Sequence, residues 1–136
     1  MQSIPLIASS IMPKKLVSGA DCILLNVKCG IGAFMKTYEE AKILATEMVN
    51  IGKELKKNVK AEINDMNQRL GKAIGNNLEI KEVIKTLKGN GPKDLEDNCL
   101  SSSAILLTLV ELFKNTEDAR KALIENIKNL KAFEKF

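Results

Sequence analysis

Cys22-Ile23-Leu24-Leu25-Asn26-Val27-Lys28 is a short apolar run rich in branched residues, and it reads as a buried strand. A loop follows at Cys29-Gly30-Ile31-Gly32-Ala33. Thr37-Tyr38-Glu39-Glu40 then has the spacing of a capping box, in which a hydroxyl and a carboxylate each satisfy a backbone N–H of the first turn. Behind it Ala41, Leu44, Ala45, Met48 and Ile51 recur at helical intervals up to Gly52, which predicts an amphipathic helix ending there. Residues 58–63 alternate in polarity and read as a second strand. Strand, helix and strand within about forty residues predict a right-handed βαβ crossover with parallel pairing.

Outward from this unit the chain is helical. Residues 4–17 open with an apolar stretch, and Ser9 or Ser10 can cap a short helix with Pro13 in its first turn, before Gly19 breaks it. Leu78, Ile80, Val83, Ile84 and Leu87 form an amphipathic stretch that stops at Gly89-Asn90-Gly91-Pro92. A longer helix, apolar on most of its circumference, runs from Pro92 or Lys93 to Phe113. Thr116-Glu117-Asp118 caps a final one, with acids where the helix dipole favours them. The fold class read from this pattern is α/β and helix-rich, with two short parallel strands and about five helices. Two strands make a poor sheet with open edges, and the apolar helix lacks cover, which points to a partial domain and to self-association as a homodimer or larger species.

Composition excludes several classes. The chain has 136 residues, 45% hydrophobic and 28% charged, with net charge +4, so it can bury a core and is not disordered. Its longest apolar run, Ala104-Ile105-Leu106-Leu107-Thr108-Leu109-Val110, falls far short of the roughly 20 residues of a membrane span. The first residues show no charged-then-apolar signal pattern, so export is not expected. Of 21 basic residues only Arg69 and Arg120 are arginine, and aromatics are 4% with no Trp, so nucleic acid is not an expected partner. Cys22, Cys29 and Cys99 are read as reduced thiols of a cytoplasmic protein, and the absence of histidine removes histidine-based nucleophile schemes.

Among the motifs, Gly30-Ile31-Gly32 lacks the third glycine of a dinucleotide loop, since that position is Met35, and a tight strand-to-helix loop is the better reading. Glu62 with Asp65, and Glu79 with Glu82, read as solvated charge rather than as catalytic pairs. Ser10 and Lys14 stand four apart, so on a helix they share one face, where a hydroxyl and an ammonium can grip a carbonyl-bearing ring or an anion.

The ordered motifs Ser3-Ile4-Pro5-Leu6-Ile7-Ala8-Ser9-Ser10-Ile11-Met12-Pro13-Lys14-Lys15, Ser18-Gly19-Ala20-Asp21, Asn26-Val27-Lys28 and Gly32-Ala33-Phe34-Met35-Lys36-Thr37 resemble the pyrimidine-nucleoside and thymidine phosphorylases. So do Asp65-Met66-Asn67-Gln68, Leu70-Gly71, Gly75-Asn76, Leu78-Glu79 and Leu87-Lys88-Gly89-Asn90-Gly91-Pro92, so that the resemblance covers nearly the whole chain. It implies an enzyme that splits a pyrimidine nucleoside with phosphate into base and pentose 1-phosphate. It also implies that residues 1–17 are the last helix of a small helical, base-binding domain and residues 18–136 part of a larger α/β domain.

By the same resemblance Ser10 and Lys14 are the pyrimidine-binding pair, with a pyrimidine base or nucleoside as partner. Leu70 and Ala73 through backbone oxygen, and Glu82 through its carboxylate, form part of a potassium site, and no other cofactor is implied. No residue of this stretch is assigned a catalytic role. The family's Lys-His-Ser-Thr-Gly-Gly type phosphate loop, its base-binding arginine and the histidine near the departing base have no counterpart in these residues. Asn26 stands where the family has Asp, and Pro13 where it has a small residue, between Ser10 and Lys14. The implied reading is a truncated phosphorylase, inactive by itself. The alternative is a non-catalytic oligomerising or partner-binding module derived from the phosphorylase fold.

Overall fold

The computed structural model describes residues 3–136. They fall into two compact units, Met1–Gln68 and Arg69–Phe136, each described by itself. The first unit is α1 (Ile4–Leu16), β1 (Cys22–Cys29), α2 (Tyr38–Glu54) and β2 (Asn58–Asp65). The strands pair parallel from Cys22↔Asn58 to Cys29↔Asp65 without a slip, as the βαβ pattern predicts. Ile23, Leu25 and Val27 alternate into the core, where they meet Val59 of β2, Ala41, Leu44, Ala45 and Met48 of α2, and Ala8 and Met12 of α1. The expected capping box opens α2: Thr37 Oγ1 accepts from the Glu40 N–H, and Glu40 Oε2 accepts from the Thr37 N–H.

Several boundaries differ from the sequence reading, and β1 and β2 run on to Cys29 and Asp65. Helix α1 starts at Ile4 instead of being capped by Ser9 or Ser10. Pro5 occupies the first turn, where its missing N–H costs nothing, while Pro13 lies inside the helix and Ser9 Oγ donates to the Leu6 carbonyl. Helix α2 does not stop at Gly52 but continues to Glu54. Lys56 then takes a left-handed conformation (φ 56°), and the Lys57 and Lys56 N–H groups bond back to the carbonyls of Gly52 and Lys53. This is a Schellman closure built without glycine at its left-handed position. Gly52 instead permits close packing. It is buried against β2, and a Cβ there would lie 2.9 Å from Val59 Cβ and overlap Val59 Cγ2.

The second unit comprises α3 (Asn76–Leu87), α4 (Lys93–Leu109), α5 (Thr116–Lys128) and α6 (Lys131–Lys135). The turn at Gly89-Asn90-Gly91-Pro92 ends α3 as expected. Gly91 sits so tightly that a Cβ would lie 2.6 Å from Thr86 Cα. Helix α4 ends at Leu109, before Phe113, because Glu111 turns left-handed (φ 60°) and the Leu112 and Glu111 N–H groups close on the Leu107 and Thr108 carbonyls. Asn115, rather than Thr116, caps α5 by accepting from the Asp118 N–H at 2.8 Å. A left-handed Leu130 separates α5 from α6, which makes six helices among the described residues. Helices α4 and α5 pack through buried Leu100, Ala104 and Ala119, and are tied by Arg120, which donates to Asp97 Oδ1 at 2.5 Å and Ser101 Oγ at 3.1 Å. No helix among the described residues is long and apolar enough to cross a membrane.

Candidate functional site

Helix α1 buries Ala8 and Met12 against the first unit, and that fixes which face is left for solvent. Ser10 and Lys14 are both exposed, and because the helix continues through Pro13 they stay one turn apart on one side of it. Neither side chain is engaged in a hydrogen bond or ion pair with another described residue. Lys14 and Lys15 also stand in the last turn, where the helix dipole favours positive charge.

A hollow of about 450 Å³ opens beside Ser10, walled by Leu6, Ile7, Ile11 and Phe34. Phe34 is 78% exposed, so its ring is a free apolar surface at the mouth of the hollow. Its backbone is nonetheless well anchored. Gly32 N–H donates to the Met66 carbonyl and Ile31 N–H to Asn67 Oδ1, both at 3.0 Å, and Gly30 N–H donates to the Met35 carbonyl at 3.0 Å. Asn67 is itself held by Asp65, which accepts from its side-chain amide and backbone N–H. The loop after β1 is thus clamped on the turn after β2. A Cβ on Gly30 would lie 2.7 Å from Asn67 Oδ1 and one on Gly32 2.9 Å from the Met66 carbonyl oxygen, so both glycines serve close packing, in line with the tight-loop reading.

Asn26 lies opposite Glu62 in the register, and its amide donates to Glu62 Oε1 at 2.6 Å. An Asp at position 26 would set two carboxylates face to face, which cross-strand pairing disfavours. Asn26 is therefore matched to its cross-strand neighbour.

The second set of residues belongs to the second unit. Residues 69–75 form a loop whose backbone N–H groups are gathered by three carboxylates, Glu82, Asp94 and, at Gly75, Glu79. Both oxygens of Glu82 accept from the Lys72 and Ala73 N–H groups at 3.1–3.2 Å, and Asp94 Oδ2 accepts from the Gly71 N–H at 2.9 Å. Gly71 has φ 71°, and any Cβ there would run into Glu82 Oε2, so only glycine suits the position. The Gly71 N–H, aided by the N–H groups of the first turn of α4, holds the Asp94 carboxyl below its ordinary range. No cluster of three or more His, Cys, Asp or Glu among the described residues is arranged to hold a metal. The oxygen donors of this loop, two carbonyls and the neighbouring Glu82 carboxylate, are chemically suited to a hard, weakly held cation such as potassium.

Of the residues singled out in the sequence, Ser10 and Lys14 share one helix face, and Glu82 is drawn onto the loop that carries Leu70 and Ala73. The two sets lie in different units. Phe34, Gly71 and Asp94 were not singled out as site residues. The acid two residues after Pro92, at the start of a helix, is the one local signal that could have marked Asp94.

Residues 1–133 match the family described as glycosyl transferase family, a/b domain. The thymidine phosphorylase of Metamycoplasma hominis is 54% identical over 136 residues, which are all of this chain and 50% of that protein. The pyrimidine-nucleoside phosphorylases of Staphylococcus epidermidis and Staphylococcus aureus are also 54% identical over 136 residues, covering 31% of their length. The chain spans between about a third and half of the length of these curated relatives.

Proposed function

The chain belongs to the glycosyl transferase family, a/b domain, and on that footing we propose that it is the pyrimidine-binding and cation-binding part of a pyrimidine-nucleoside phosphorylase. The observation that carries this reading is the exposed pair Ser10 and Lys14 one turn apart on one side of α1, with Ser10 lining the hollow fronted by Phe34. In the proposed reaction a phosphate oxygen forms a bond to the sugar's anomeric carbon as that carbon's bond to the ring nitrogen breaks. The bonding electrons leave with the base, so negative charge grows on the pyrimidine ring and its carbonyl oxygens.

Lys14 would donate to one of those oxygens and become more favourable as the charge develops, which is how a fixed cation lowers such a barrier. Ser10 would donate or accept at the adjoining ring position and fix the ring's rotation, and Phe34 would keep water from one side of it. Potassium, held through the Leu70 and Ala73 carbonyls and the Glu82 carboxylate, would supply a fixed positive charge that braces the loop. A cytoplasmic setting goes with this reading. In this reading residues 1–17 would be the base-binding helix of the small domain, and α1 packs Ala8 and Met12 into the same core as β1 and α2.

The 136 residues by themselves are expected not to turn over, because they contain no histidine and none of the family's phosphate-gripping loop. The test is phosphate-dependent release of uracil or thymine from its nucleoside at high protein concentration, with and without the preceding segment of a relative supplied separately. Release only when the segment is added is the expected result. Release by the chain alone would overturn the partial-site reading, and no release in either case would overturn the enzymatic one.

The same reading includes self-association as a homodimer or larger. It is supported by the two-stranded β1–β2 sheet, whose outer edges among the described residues are paired only at Cys29 with Met35, and by exposed Leu106, Val110 and Leu112 at the end of α4. Sedimentation velocity is expected to show a dimer or larger species, and a monodisperse monomer at high concentration would contradict it.

A further inference from the structure

We propose that Asp94 is a positioning residue for the cation loop, acting through the Leu70–Gly71 peptide to aim the Leu70 carbonyl. The inference rests on the cation reading given above and adds a residue to it. No peptide bond among the described residues is cis, so in each peptide plane the N–H of one residue and the C=O of the residue before it point in opposite directions. Asp94 Oδ2 accepts from the Gly71 N–H at 2.9 Å, and this sends the Leu70 carbonyl away from the Asp94 carboxylate.

Glu82 binds the next two N–H groups, those of Lys72 and Ala73, and so turns the Gly71 and Lys72 carbonyls away from itself. Two carboxylates, one on α3 and one on α4, thus hold three successive N–H groups. The Leu70 carbonyl orientation depends on the bond Glu82 does not make. Gly71 is left-handed, and a Cβ there would overlap Glu82 Oε2, so this peptide runs close against the Glu82 carboxylate. Asp94 needs no contact with the cation. It fixes the plane of a peptide whose oxygen is proposed to make one, as outer-shell partners orient metal ligands elsewhere.

The experiment uses the full chain and measures its melting temperature as potassium chloride replaces sodium chloride at constant ionic strength, for the parent, Asp94→Ala and Asp94→Asn. Asp94 is exposed, so both variants are expected to fold. The parent is expected to be stabilised by potassium in a saturable way. Asp94→Ala is expected to raise the potassium concentration at half-effect by about tenfold, and Asp94→Asn, which keeps an oxygen acceptor for the Gly71 N–H, to recover most of that loss.

A purely structural role would lower melting equally in sodium and potassium, and that result overturns the inference while the cation reading stands. An unchanged half-effect concentration in Asp94→Ala would overturn it in the same way. No potassium-specific stabilisation of the parent would overturn the cation reading itself, and this inference with it.

Discussion

Gly52→Ala is expected to destabilise the first unit by about 1–3 kcal/mol, although alanine is the better helix former. The added methyl group would meet Val59, whose Cβ lies 2.9 Å from the position it would take and whose Cγ2 it would overlap. Val59 is 4% exposed in the centre of the core, and a β-branched side chain on a strand has little rotamer freedom with which to retreat. The strand therefore has to move away from α2, and with it the contacts of Leu44, Ala45 and Met48. Alanine's intrinsic gain of roughly 0.5–1 kcal/mol in a helix recovers part of the loss but not all of it. Urea denaturation of Gly52→Ala, Val59→Ala and the double variant checks the mechanism. The double variant is expected to be more stable than the sum of the single effects, because removing the valine methyl groups makes room for the new one. Strict additivity would mean that the close approach of α2 to β2 is not what requires glycine.

Lys14→Ala is expected to weaken binding of a pyrimidine base by about 10- to 100-fold while leaving stability within about 0.5 kcal/mol of the parent. The asymmetry follows from where the side chain stands. It is exposed on α1, buries no core surface and is engaged by no other described residue, so its removal costs the folded chain little. A hydrogen bond from an ammonium to a ring carbonyl that gains charge is worth about 1.5–3 kcal/mol, hence the expected fall in affinity. Ser10→Ala, which removes a neutral hydroxyl, is expected to cost less. Calorimetric titration with uracil or thymine, paired with thermal melting of each variant, separates the two effects. An equal loss of binding and stability in Lys14→Ala would show that the lysine supports α1 rather than the ligand.

The strand–helix–strand unit was legible because each of its signals is local. Ile23, Leu25 and Val27 face the core, and Thr37 and Glu40 form their capping box within four residues. Helix ends were legible only where glycine marked them. Gly89 closes α3 as read, but Lys56, Glu111 and Leu130 adopt the same left-handed turn with side chains that carry no such signal. That is why α2 runs past Gly52 and α4 stops before Phe113. The start of α1 was misplaced because two serines offered a cap, while Pro5 was free to occupy the first turn.

The candidate site divides along the same line. The spacing of Ser10 and Lys14 could be read as one helix face, but their role came from the resemblance and not from the spacing. Phe34 reaches the Ser10 hollow from 24 positions along the chain, and Asp94 reaches Gly71 across 23. Such meetings are made by packing, and no periodicity in the sequence announces them.

The most direct test of the central claim is a titration of the isotopically labelled chain with uracil or thymine, followed by amide and side-chain shifts in nuclear magnetic resonance. The account predicts saturable shifts concentrated at Ser10, Lys14 and the loop around Phe34, and their loss in Lys14→Ala. Saturable shifts centred elsewhere, or no saturable shift at any concentration reached, would contradict the assignment of this face of α1 to the pyrimidine.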